Sequence, residues 1–367
     1  MANWYKINNI EQIDSPALVV YPERIQENID LAIRIAGGTD KLRPHVKTNK
    51  MREVCAMMLK SGITKYKCAT IAEAEMLALV NAPDVLLAYQ PAGPKIERLI
   101  ELIKAYPDTR FSCLVDNEEN AKIISGLCRE NNITLDIFID LNIGMNRTGI
   151  KPEKAIDLVK AIIDLPQIRI AGLHGYDGHI HDEDTEIRRK NSDISYALAE
   201  KAYKEIKPLL PHPVILVMGG TPTFPMHIHR ENCECSPGTF VFWDWGYKHM
   251  LEDLPFRYAA VVISRVISII DPTHICVDLG HKSVAAENPL PRVHFLNASE
   301  ATPVAQSEEH LVLSVPDSNI YRIGTVLYGI PVHICPTVAL YDKAYVADHN
   351  EKINEWEIIA RNRYINY

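Results

Sequence analysis

No apolar run in this 367-residue chain approaches the roughly 18–20 residues that a membrane-spanning helix requires, so a helical membrane protein is excluded. The opening MANWYKINNIEQID has no basic stretch followed by an apolar one, and no secretory signal is expected. Basic charge is short as well: 39 Lys and Arg stand against 47 Asp and Glu, a formal net charge of -8. Nothing electrostatic draws such a chain to nucleic acid or to an anionic membrane. Internal repeats and low-complexity linkers are missing. Eight cysteines at this length, without an export signal, read as reduced thiols, one or two of them open to recruitment as ligands. What remains is ordinary globular material, with 47% hydrophobic and 23% charged residues. The expectation is a soluble cytoplasmic protein of about two domains, or one barrel-sized domain with an appendage.

The first two thirds alternate short β-rich runs with amphipathic stretches. LRPHV (42–46), KYKCA (65–69), DVLLAY (84–89), RFSCLV (110–115), LDIFID (135–140), RIAGLH (169–174), VILVM (214–218) and ECSPGTFVF (234–242) are the strand candidates. Between them apolar residues recur at i, i+3, i+4 and i+7, as at Val54, Met57 and Met58, and a long helix is expected near 185–207. Near-continuous apolar strands imply burial on both faces. Eight such strands with helical connections match a (β/α)8 barrel, although an open doubly wound sheet would alternate similarly. After Trp245 helical periodicity nearly disappears, and AAVVISRVISII, HICVDLG, RVHFLN, HLVLSV, IGTVLYGIPVHICPTVALYD and KAYVAD read as strand-like segments. The division expected is a barrel over 22–245 and a mostly β domain over 246–367, with residues 1–21 assignable to either.

In a (β/α)8 barrel the functional side chains stand where strands end and helices begin. Lys47 follows an apolar strand there, beside His45. A partly desolvated lysine can lose its proton and attack an aldehyde to form a Schiff base; a solvated lysine at a helix start is the plain alternative. GGTPT, after the seventh strand, offers backbone N–H groups and two hydroxyls where barrels commonly bind phosphate. An aldehyde-binding lysine opposite a phosphate cradle points to pyridoxal 5'-phosphate.

RPHVKTNK, FSCLVDN, DLNIGMNRTG, GLHGYDGH, GGTPTF, CSPGT, SEEH and VLYGIPVHICPTVALYD, in this order, resemble the D-threonine aldolase/D-serine dehydratase family over nearly the whole chain. That family consists of pyridoxal-phosphate enzymes of the alanine-racemase-like fold, with an N-terminal barrel and a C-terminal β domain, and is generally dimeric. The resemblance implies that Lys47 is the Schiff-base lysine and the base for the substrate α-proton. It also implies that Arg147 contacts the cofactor, that Tyr176 lies near the pyridine nitrogen, and that Gly219, Gly220 and Thr221 bind the phosphate. A neutral phenol at the nitrogen would protonate it poorly, where a carboxylate would favour a full electron sink. His179 and His181 are candidates for acid–base work on a substrate hydroxyl, with a structural hydrogen-bonding role as the alternative. Asn49 departs from the family, which often has His at that position, and His310 of SEEH matches it without a derivable role.

His333 and Cys335 form an H-x-C pair. On a strand, residues two apart share a face, so the two could grip one cation together. A His/Cys pair suits Zn²⁺, with Mn²⁺ or Mg²⁺ as alternatives and the remaining positions left to water and substrate. Taken alone the pair is weak; within IPVHICPT it looks like the family's metal site, where the ion would act as a Lewis acid on a β-hydroxyl. His227, His229, Cys233 and Cys235 superficially suggest a structural zinc site but lack its usual knuckle spacing. The expected substrate is a D-amino acid with a β-hydroxyl. β-Elimination to an oxoacid and ammonia competes with retro-aldol cleavage to glycine and an aldehyde, and Cys335, where aldolases tend to have Asp, tilts the reading toward elimination. A racemase would instead use a Tyr of the β domain, with Tyr321, Tyr328 and Tyr341 available.

Overall fold

The computed structural model describes residues 3–367, and no helix among them is long and apolar enough to cross a membrane. Two units separate by their internal contacts: one comprises residues up to Leu31, Thr48–Val54 and Thr239–Arg361, the other Ala32–Lys47, Cys55–Gly238 and Asn362–Tyr367. The first strand, β1 (Ala17–Val20), belongs to the former unit.

The second unit is built on seven parallel strands in sequence order: β2 (Lys65–Cys68), β3 (Asp84–Leu87), β4 (Arg110–Val115), β5 (Leu135–Leu141), β6 (Ile168–Gly175), β7 (Ile215–Met218) and β8 (Cys233–Cys235). Every residue of β5 is buried, as expected for parallel strands covered on both faces. Leu86, Leu114, Phe138, Ala171 and Val217, from five successive strands, fill the interior as one apolar layer. Helices follow the strands, and their first turns are satisfied by side-chain caps: Thr70 accepts from the Glu73 N–H, Asn117 from Asn120, and Asp184 from Glu186 and Ile187. The long helix runs over Thr185–Ile206.

The expected first strand, 42–46, is not a regular strand. It makes isolated parallel bridges, Leu42 with Cys235 and His45 with Lys67, so it stands as an eighth stave between β8 and β2. Arg43 N–H donates to the Cys235 carbonyl and Val46 N–H to that of Lys67, while Pro44 has no N–H with which to lengthen the second ladder. The expected eighth strand, 234–242, is also shorter. It stops at Cys235 ahead of Pro237 and Gly238, and Thr239–Val241 is a 3₁₀ turn. Arg43 is fully buried beneath this closure, its guanidinium 2.7 Å from Glu234 and 2.5 Å from Asp84, with Lys65 2.5 Å from the other oxygen of Glu234.

The other unit contains β1 with β9 (Ala260–Asp271), β10 (His274–Val277), β11 (Val293–Phe295), β12 (Thr302–Gln306), β13 (Leu311–Ser314), β14 (Val326–Pro331), β15 (Lys343–Asp348) and β16 (Glu351–Glu357). β1 lies at its centre, antiparallel to β9 and parallel to β15, with Val19 opposite Val261 and Tyr345. Tyr5, Ile7, Val19, Tyr21, Ile263, Tyr328 and Ile330 pack together over this sheet. β12 and β16 escaped the sequence pattern: TPVAQ is mostly exposed and carries a proline, and EKINEWE has little apolar alternation. All eight cysteines are thiols.

Arg43→Met should destabilise the protein by about 1–3 kcal/mol, because Glu234 and Asp84 lose their buried guanidinium partner and keep only Lys65 and Arg110. Urea unfolding followed by circular dichroism measures this, and a loss below about 1 kcal/mol would show that the cluster does not hold the barrel closed.

Candidate functional site

The strand ends of the barrel unit bring together most of the residues singled out in its sequence. Lys47 is exposed at the end of the closing stave, and its N–H donates to His45 Nδ1 at 3.2 Å. Lys67 is its neighbour on β2, since the 46–67 and 67–44 backbone bonds clasp the two segments together. The Tyr176 ring follows β6. Arg147, from the loop after β5, holds its guanidinium 5.1 Å from the ring centroid, and Lys67 Nζ is 5.3 Å from it. Tyr176 also abuts the loop after β7: a Cβ on Gly220 would stand 3.3 Å from its ring.

That loop has the features of an anion cradle. Gly219 has φ +76°, which L side chains rarely adopt. Its carbonyl accepts from Ser236 N–H at 3.0 Å, and Thr221 Oγ1 accepts from Gly238 N–H at 3.0 Å, so the loops after β7 and β8 are laced together. The Ser236 hydroxyl is buried with no hydrogen-bond partner. A buried hydroxyl left unpaired carries a desolvation cost of about 1–3 kcal/mol, which a phosphate oxygen would relieve. The residues present therefore fit a phosphate group.

Beneath the loop lies a support that the sequence did not reveal. Asp177 is fully buried and accepts from His227 Nε2 at 2.7 Å and Thr223 Oγ1 at 3.0 Å. Burial pushes its carboxyl upward, but the bonds and charge of His227 and the bond from Thr223 outweigh this and hold it below the usual range. His227 is also 3.1 Å from Ser192 Oγ and 2.6 Å from Arg230. His229 is exposed, and the thiols of Cys233 and Cys235 bond to the Glu234 and Phe224 carbonyls. The zinc alternative over His227–Cys235 is thereby replaced by a buried hydrogen-bonded histidine and two core thiols. His179 is exposed with its ring against Gly144, where a Cβ would meet it at 2.5 Å, and His181 is exposed. Asn49 Oδ1 accepts from Met51 N–H, a local turn bond.

In the β unit, His333 and Cys335 come together by a different route from the one expected. They do not share a strand: β14 ends at Pro331, His333 caps a short helix, Ile334–Val338, and Cys335 lies in its first turn. The two side chains hydrogen-bond each other. His333 Nδ1 is 2.5 Å from Glu287, and Cys335 Sγ lies 3.2 Å from Thr48 Oγ1 and 3.5 Å from Thr239 Oγ1. Burial pulls the imidazole pKa down, but the bond and charge of Cys335, with Asp244 and Glu287, outweigh it and raise it to about 9. Two hydroxyls beside the sulfur and a carboxylate behind the imidazole surround a cysteine–histidine pair of the kind that could hold a cation. Asp244, fully buried, accepts from the Ile334 and Tyr247 N–H groups and so fixes the segment carrying both residues. His310 is exposed in a turn closed by its carbonyl and Ser307 N–H, where no other candidate of this unit meets it.

Residues 20–244 match the family model described as alanine racemase, N-terminal domain, and residues 259–347 match the putative serine dehydratase domain. The D-threonine aldolase of Arthrobacter sp is 26% identical over 96% of this chain and 94% of its own length. The D-threo-3-hydroxyaspartate dehydratase of Delftia sp. is 24% identical, covering 94% of this chain and 97% of its own. The crystal structure of D-threonine aldolase from Filomicrobium marinum superposes with a TM-score of 0.87 at 24% identity, covering 95% of this chain and 96% of the other.

Glu287→Gln removes the charge behind His333, and metal affinity should fall about 10–100-fold. Competition with a metallochromic chelator measures this, and unchanged affinity would place any bound ion elsewhere.

Proposed function

The chain belongs to the alanine racemase N-terminal domain family, and from that premise we propose that it is a pyridoxal-phosphate- and metal-dependent lyase acting on D-amino acids that carry a β-hydroxyl. The observation that carries this reading is the His333–Cys335 pair, with Glu287 behind the imidazole and the Thr48 and Thr239 hydroxyls beside the sulfur. A racemase has no use for it. The racemase alternative is weakened further because the Tyr341 hydroxyl donates to the Ser283 carbonyl at 2.6 Å and that of Tyr328 accepts from Ile7 N–H.

Lys47 would hold the cofactor's aldehyde end, Arg147 and Tyr176 its ring side, and Gly219, Gly220, Thr221 and Ser236 its phosphate. His333 and Cys335 would hold the metal, Zn²⁺ before Mn²⁺ or Mg²⁺. When bound, the cofactor supplies an electron sink for charge developing at Cα and the cation a Lewis acid for the hydroxyl. Lys47 Nζ, once displaced from the aldehyde by the substrate's amine, would take the α-proton. In elimination the Cβ–O bond then breaks, the hydroxyl departs with a proton as water, and hydrolysis of the resulting enamine yields the oxoacid and ammonia. In retro-aldol cleavage the hydroxyl proton leaves instead, with His179 and His181 as its candidate acceptors. The Cα–Cβ bond breaks, an aldehyde departs, and Cα regains a proton as glycine. Cys335 tilts the reading modestly toward elimination, because the aldolases of the family it resembles tend to have Asp at that position.

Lys47→Ala should abolish the visible absorbance band of the bound cofactor; an unchanged spectrum would sink the assignment. Product analysis on D-serine, D-threonine and D-3-hydroxyaspartate, with L-isomers as controls, should detect ammonia and oxoacid from the D-forms only. Cys335→Asp should move the products of D-threonine toward glycine, and a constant ratio would mean that this ligand does not select the reaction.

A further inference from the structure

The Lys67 side chain reaches across the barrel interior. With the 42–46 stave counted, β2 and β6 are opposite walls of the eight, and Lys67 Nζ of β2 lies 3.0 Å from His174 Nε2 of β6. His174 Nδ1 is in turn 2.7 Å from Asp140 Oδ1, its register neighbour on β5. Lys67, His174 and Asp140 are 3%, 4% and 5% exposed, so their polar groups must be satisfied within the interior, where Asp140 also accepts from the Thr148 side chain. The bonds fix the histidine: Nδ1–H donates to the carboxylate, leaving Nε2 to accept from the lysine. Burial and the charge of Lys67 both push the imidazole pKa down, against the pull of Asp140, in keeping with a neutral ring.

We propose that Lys67 is a positioning residue of the cofactor site, an amine held from the opposite wall by His174 and Asp140 that sets the charge felt at Tyr176 and Lys47. This rests on the cofactor reading above. An ammonium and a neutral amine both retain N–H bonds to donate, so the contact with Nε2 survives loss of one proton. The charge next to the site can therefore change while the side chain stays in place. The groups facing the amine are Lys47 and Arg147, which disfavour its charge, Asp140 and Asp177, which favour it, the neutral His174, and the Tyr176 ring. Desolvation is the largest influence, followed by the charge of Lys47, and together they bring the Lys67 pKa down to about 7. Lys67 thus changes charge near neutral pH.

Two consequences separate this from a merely structural lysine. Because the folded state binds fewer protons at Lys67 than the unfolded chain between about 7 and the ordinary lysine range, the cost of burying the charge is complete below about 7 and is relieved as pH rises. In the apoprotein K67M should therefore be more stable than wild type at neutral pH and below, with the gap closing toward about pH 10. In the holoenzyme, where the cofactor engages Lys47, the visible cofactor band should shift as pH is raised through the range in which the Lys67 amine loses its proton. K67M should hold the band in its high-pH form and K67R, whose guanidinium keeps its charge, in its low-pH form.

The experiment is a spectrophotometric pH titration of wild-type, K67M and K67R holoenzymes, with denaturant unfolding of the apoproteins across the same range. Variants locked at opposite ends of the wild-type transition, or either one locked if the other does not fold, support the proposal. A wild-type band that is flat from about pH 5.5 to 9, or variants that titrate like wild type, overturn it. Absence of any cofactor band in the wild type fails the cofactor reading instead.

Discussion

Residues 41–46 hydrogen-bond on both sides, to β8 through Lys41, Arg43 and Cys235, and to β2 through Pro44, Val46 and Lys67. Without that segment the seven strands would have two open edges, an arrangement that parallel sheets avoid by covering or closing. Closure brings β2 opposite β6 and sets Lys47 beside Lys67. It also buries Arg43, whose charge is answered by carboxylates from β3 and β8. Those carboxylates enter the structure 41 and 191 residues away in sequence, so the closure is a long-range event that no local pattern announces.

The barrel strand ends divide their work by chemistry. Small and hydroxylated residues after β7 and β8 form loops in which the buried Ser236 hydroxyl lacks a hydrogen-bond partner, a feature that supports the proposed phosphate cradle. Beneath it, Asp177, His227 and Thr223 make a dry, fully paired support, and pairing is what keeps a carboxylate ionised in such a place. Cations gather instead around the Tyr176 ring, where Lys67 and Arg147 stand 5.3 and 5.1 Å from its centroid.

Much of the fold was legible. Parallel strands buried on both faces write themselves as apolar runs such as LDIFIDL, and the texture change after Trp245 marks where alternating helices give way to strands. Legibility failed where pattern and geometry part. LRPHV looked like a strand, but Pro44 leaves it as a bridged stave. His333 and Cys335 were paired by strand alternation, yet they meet because a helix begins between them and Asp244 ties down its first turn. Lys67 in KYKC gave no signal at all, since a lysine on a short strand ordinarily snorkels to solvent.

Composition, periodicity and ordered motifs by themselves led to a barrel followed by a β domain, and marked Lys47, the GGT loop and the H-x-C pair as candidate residues for its chemistry. Only the tertiary structure decided which polar groups are buried together. Asp140, His174 and Lys67 are one contact chain although 107 residues separate the lysine from the histidine. Whether a lysine holds its proton near neutrality depends on the water removed from around it and on the charges placed across the barrel. Those are properties of three-dimensional neighbours, and a linear pattern carries no record of them.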